Sequence, residues 1–138
     1  MSRSSRQALI GLGAIAVVLV AIAVIASLGN RDQGLRADVL SARRTEPGTV
    51  ETFTVSVRDT AGQVESIEVD FGDGRVEELD VPDEPCKVPM SRSFDVDHAF
   101  DFTGFSTVVA RVVTGGCGAP TERVEVIRTV EVRAVRRP

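Results

Sequence analysis

Residues 69–75 read "VDFGDGR", two aspartates and two glycines interleaved around Phe71 at the end of a run that alternates like a strand. Such a stretch is either a loop that holds a cation or a phosphate, or a tight turn that lets a sheet fold back. Hard cations take several oxygens, which makes Asp70 and Asp73 the calcium candidates, but weak ones. Asp70 points away from the face of Val69 and Phe71, and no acids follow at the spacing of an EF-hand loop. A phosphate loop needs a helix N-terminus beside it, and no helical periodicity follows here. Turn geometry accounts for the same residues: Gly72 and Gly74 permit positive φ, and the Asp73 carboxylate can accept hydrogen bonds from turn amides. The stretch is therefore expected to be a hairpin device with no metal or cofactor.

Outward from this turn, period-two alternation dominates. In "ETFTVSV" Phe53, Val55 and Val57 share one face, and in "ESIEVDF" Ile67, Val69 and Phe71 do the same. In "FDVDHAF" the carboxylates of Asp95 and Asp97, with Asp101 just beyond, read as an exposed acidic face. "FSTVVARVV" is apolar on both sides of the pleat, as expected of a central strand. In "RVEVIRTVEVRAV" Val124, Val126, Val130 and Val132 line up, with Ile127 and Arg128 breaking the rule as a bulge would. Turn signals separate the runs at 46–49, 59–62, 71–74, 82–85 and 114–120. The pattern predicts an all-β, immunoglobulin-like antiparallel sandwich of about seven strands.

Two separated motifs carry a family resemblance. "DFGDG" stands at Asp70, Phe71, Gly72, Asp73 and Gly74, and "HAFDFTGFSTVVARV" places His98, Phe100, Gly104, Val108, Ala110 and Val112 in matching register downstream. The chain over residues 37–135 thus resembles the PKD domain, the immunoglobulin-like repeat named after the polycystic kidney disease protein and common on bacterial surface proteins and secreted enzymes. The resemblance implies a PKD-type sandwich that binds rather than catalyses. Three positions depart from the family pattern: Val69 stands for its tryptophan, Phe100 for its first tyrosine and Ser106 for its second, with Phe105 bringing a ring one position early. With no Trp or Tyr, the core must be filled by aliphatic residues and six Phe.

The N-terminus differs in kind. Residues 1–7 form a basic tail with Arg3 and Arg6, and Ala8 to Leu28 then run without a charge. Twenty-one residues at about 1.5 Å each span a hydrocarbon core of about 30 Å. A transmembrane helix over 8–28 is expected, retained as a signal anchor; Val24 and Ala26 at the −3 and −1 positions leave cleavage before Ser27, and secretion, as the alternative. Arg3 and Arg6 are unopposed, whereas Arg31 and Arg36 are mixed with Asp32 and Asp38, which places the N-terminus in the cytoplasm and the domain outside a single-pass cell membrane protein. Residues 29–36 read as a linker and 136–138 as a basic C-terminal tail. Arginine outnumbers lysine fifteen to one, which points to a GC-rich bacterial genome. Beyond Asn30 lie all 20 acids and all but two of the 16 basic residues, so nucleic acid is no natural partner.

Cys86 and Cys117 are the only cysteines, and in an oxidising exterior they are expected to form one disulfide. Two sulfurs and the single His98 fall short of a structural zinc site. No nucleophile elbow or Cys–His arrangement is evident, and His98 reads as a hydrogen-bonded structural group, so no enzyme is expected. The function expected is an extracytoplasmic module binding an unknown protein or polysaccharide at the cell surface. The alternative is a small accessory subunit of a membrane or envelope complex, docking through small-residue faces of its helix at Gly11, Gly13, Ala14, Ala16, Ala21 and Ala23.

Overall fold

The computed structural model describes residues 34–135; the expected transmembrane helix, most of the linker and the tail at 136–138 lie outside the described residues. Eight strands follow in chain order: β1 (Arg36–Leu40), β2 (Arg44–Thr45), β3 (Val50–Asp59), β4 (Gln63–Asp70), β5 (Val76–Glu78), β6 (Met90–Ala99), β7 (Gly104–Gly116) and β8 (Ala119–Val132). They form two sheets, β1-β3-β6 and β2-β8-β7-β4-β5. β1 begins at Arg36, the last residue of the stretch read as linker.

Alternation decides which side chains enter the space between the sheets. Phe53, Val55 and Val57 of β3 meet Ile67 and Val69 of β4 and Val108, Ala110 and Val112 of β7, all fully buried. Val64 and Ile67 are three residues apart, which would put them on opposite faces, yet both are buried. The register shift between Val64 and Ser66 resolves this, because one extra residue in β4 restores the inward parity. β7 is central to its sheet, between β8 and β4, as its apolar composition predicts.

Three expectations are corrected. The sandwich is not wholly antiparallel: the two-residue β2 pairs in parallel with β8 through Arg44 and Thr45. No bulge occurs at Ile127 and Arg128, since β8 keeps its register against β7 from Val124 to Val132 and shifts only near the hairpin, between Thr114 and Gly116. Arg128 instead takes an inward parity position, where one guanidinium nitrogen donates to the Ser41 carbonyl at 3.0 Å. Phe105 is not among the rings that fill the core, contrary to the expectation for all six Phe. It is 74% exposed, because neighbouring strand residues point to opposite faces, and Ser106 takes the inward place, its hydroxyl donating to the Phe71 carbonyl.

Both cysteines lie on the surface, where Cys86 and Cys117 form a disulfide. It ties the irregular segment 80–89 to the β7–β8 hairpin, where Gly116, Cys117 and Gly118 all have positive φ. The β3–β4 connection passes from one sheet to the other through "DTAG". Its Asp59, 3% exposed, accepts the amides of Ala61 and Gly62 at 2.8 and 3.0 Å and the Thr114 hydroxyl of β7.

Candidate functional site

The "DFGDG" turn joins β4 to β5, with Asp70 opposite Val76. The Asp70 carboxylate accepts the Gly72 amide at 2.9 Å, and Asp73 accepts the Arg75 amide at 3.0 Å. The Phe71 amide donates to the Arg75 carbonyl, closing the hairpin. Gly72 is required for two reasons: its φ is +75°, and a Cβ there would stand 2.5 Å from the Thr107 carbonyl oxygen. A side chain would strain the backbone and collide with β7.

One contact exceeds the sequence reading. The second oxygen of Asp73 lies 2.8 Å from His98 Nε2 on β6, which belongs to the other sheet. An ionised carboxylate only accepts, so the imidazole donates. Both side chains are almost fully enclosed, 4% exposed for His98 and 7% for Asp73. The imidazole stacks on the Phe71 ring, centroids 3.8 Å apart and planes 5° from parallel. Phe100 meets its edge at 4.8 Å, and Phe53 packs against both Phe71 and Phe100. The two motifs 25 residues apart are thus one object: a turn at the end of one sheet, held to a strand of the other by a hydrogen bond and an aromatic stack.

Electrostatics follow from this enclosure. Burial pushes the Asp73 carboxyl up, but the Arg75 amide and the His98 ring outweigh it and hold the group below the usual carboxylate range. Burial acts likewise on Asp59, and the Thr114 hydroxyl with the amides of Ala61, Gly62 and Thr60 again brings it below that range. A depressed carboxyl contributes stability that is complete above its unfolded pKa and is lost as pH falls through its folded value. The melting temperature is therefore expected to fall on acidification below the ordinary carboxylate range, and to fall less in Asp59→Asn/Asp73→Asn; thermal unfolding across that range checks it.

As calcium candidates, Asp70 and Asp73 already spend oxygens on the protein: one of Asp70 on Gly72, both of Asp73 on Arg75 and His98. Among the described residues no group of three or more His, Cys, Asp or Glu is placed to hold a metal. A site filled at ten times its Kd would add about 1.4 kcal/mol, several degrees in Tm for a domain of this size. Unfolding curves in millimolar calcium and in chelator are expected to coincide.

The acidic face of β6 is as expected from "FDVDHAF". Asp95 and Asp97 point outward, each accepting a hydroxyl from β3 at 2.6 Å, Thr54 to Asp95 and Thr52 to Asp97. The outer face of the five-stranded sheet is different in character. Val76, Asp70, Val109 and Ile127 form a row across β5, β4, β7 and β8. Val76 and Ile127 are 55% and 65% exposed, and Phe105 lies further along the same face of β7. Beside the row, Arg111 donates to Glu68 at 2.7 Å and to Glu125 at 3.0 Å, so the charges there are paired among themselves. Sequence reading missed this face because apolar residues on both sides of β7 look like burial on both sides, whereas the exposure of Val76, Phe105 and Ile127 shows that no other described residues cover one side.

The described residues, 34–135, are all-β in two packed sheets with a core drawn from alternating positions, an immunoglobulin-like sandwich. Its likeness to solved structures is more particular. The chain matches the PKD domain of an M14-like peptidase from Thermoplasmatales archaeon SCGC AB-540-F20 with a TM-score of 0.52 and 16% identity, over 74% of this chain and 95% of that one. It also matches the CARDB domain of a Pyrococcus furiosus protein, solved in complex with di-metal ions, with a TM-score of 0.51 and 10% identity, over 71% and 91%. No family model matches, and no curated protein does. Residues 34–135 therefore have a PKD-like fold.

Proposed function

We propose that the protein is a membrane-anchored, extracytoplasmic PKD-like module that binds a protein or polysaccharide at the cell surface and performs no catalysis. The observation that carries this reading is the outer face of the five-stranded sheet, where the large apolar side chains Val76, Ile127 and Phe105 are exposed on one face. Glu68 and Glu125 beside the row are already paired with Arg111, and the Asp70 carboxylate within it accepts the Gly72 amide. The groups that could do chemistry are otherwise engaged: His98 and Asp73 are enclosed and bound to each other.

Anchoring rests on the uncharged run from Ala8 to Leu28. Surface labelling of intact cells with a tag after Pro138 tests the topology; a tag reached only after lysis overturns it. Capture of envelope protein or polysaccharide by Phe105→Ser/Ile127→Ser, compared with the parent, tests the face. Unchanged capture would move the binding surface elsewhere. The small residues of the apolar segment favour a second reading, an accessory subunit docking through that helix. An unrelated anchor in its place is expected to preserve function under the first reading and abolish it under the second.

A further inference from the structure

The edges of the two sheets are treated unequally. β1 has five residues, β2 two and β5 three, and short edge strands are a common protection against unwanted pairing. β6 is also an edge strand, with no strand beyond it among the described residues, and it has ten residues. It runs in unbroken register against β3 from Met90 to Ala99, with no bulge and no proline. Its one inward-pointing charge, Arg92, folds back on its own domain, over the Phe94 ring at 5.0 Å and within 3.3 Å of Glu84.

We propose that β6 pairs antiparallel with β6 of a second copy of this chain, about a two-fold axis at Phe94. The outward side chains select that partner and that register. Along β6 they read Ser91, Ser93, Asp95, Asp97, all exposed, hydroxyls at one end and carboxylates at the other. A two-fold at Phe94 sets Ser93 opposite Asp95 of the second copy and Ser91 opposite Asp97, so every carboxylate meets a hydroxyl. Centring on Asp95 would place that carboxylate opposite itself, and centring on Val96 would oppose Asp95 to Asp97; like charges directly opposite destabilise a ladder. One oxygen of each carboxylate already accepts a threonine hydroxyl of β3, and the other faces the serine of the second copy. Phe94 meets its own copy at the axis, a favourable cross-strand pair. The three-stranded sheets then join into one of six, and the apolar outer face of the five-stranded sheet takes no part. The pairing is independent of what that face binds.

The test uses the full chain in mild detergent. Its mass is expected to be that of a dimer, and Ser91→Asp/Ser93→Asp, which opposes acid to acid in this register, is expected to be a folded monomer whose melting temperature, unlike that of the parent, does not change with protein concentration. Chains carrying Ser93→Cys mixed with chains carrying Asp95→Cys are expected to form a covalent dimer under mild oxidation at least tenfold faster than Ser93→Cys mixed with Asp97→Cys. The native cysteines are already bonded to each other, so the introduced thiols are the reactive ones. A monomer at all concentrations, a dimer that survives Ser91→Asp/Ser93→Asp (as one formed by the apolar N-terminal segment would), or equal rates for the two mixtures overturns the pairing.

Discussion

Replacing Phe71 by alanine is expected to lower stability by about 3–5 kcal/mol, out of the 5–15 typical of a domain this size. The ring is fully buried, stacked on His98 and edge-on to Phe53 at 5.4 Å. Its loss leaves a cavity between the sheets and uncovers the histidine that holds the turn. Denaturant unfolding should show a lower midpoint with an unchanged slope. Phe105→Ala is the matched control: the ring is 74% exposed, and its removal should change stability by no more than about 0.5 kcal/mol. Equal effects at the two positions would contradict the assignment of Phe71 to the core and Phe105 to the surface.

Removing the disulfide is the second large effect. Cys86 and Cys117 are 31 residues apart in sequence, and closing a loop of that length constrains the unfolded chain by about 3–4 kcal/mol in the chain-entropy model. Both cysteines are exposed and bury little on bridging, so the bridge acts by restricting the unfolded chain rather than through packing. Cys86→Ser/Cys117→Ser is expected to lower the unfolding free energy by that amount and to raise proteolysis first within 80–89, the irregular segment it tethers. Cleavage that began elsewhere would show that the segment is held by other contacts.

Much of the sandwich was legible because strand burial has period two and the runs around Phe53, Ile67, Val108 and Val130 carry it plainly. β2 was not legible: two residues have no periodicity, and its pairing with β8 is set by chain path. Arg128 misled for a related reason. An arginine at an inward parity position looks like a break in register, whereas its long side chain reaches the Ser41 carbonyl without one. Within the site, the turn chemistry of Asp70, Gly72, Asp73 and Gly74 was readable locally, since each bond spans two residues. The Asp73–His98 bond spans 25 and the Thr114–Asp59 bond 55, and no local pattern reports which acid meets which donor. Resemblance put "DFGDG" and "HAF" in one module; the reason they belong together is that they touch.

The claim that the turn is a clasp between the two sheets rests on the Asp73–His98 hydrogen bond. A double-mutant cycle of Asp73→Ala and His98→Phe, read by chemical denaturation, addresses it most directly, because the phenylalanine keeps the stack on Phe71 while removing the donor. The expected coupling is about 1.5–3 kcal/mol, as for an enclosed hydrogen bond to a charged group. Single effects that add within about 0.5 kcal/mol, as for independent sites, would contradict the clasp.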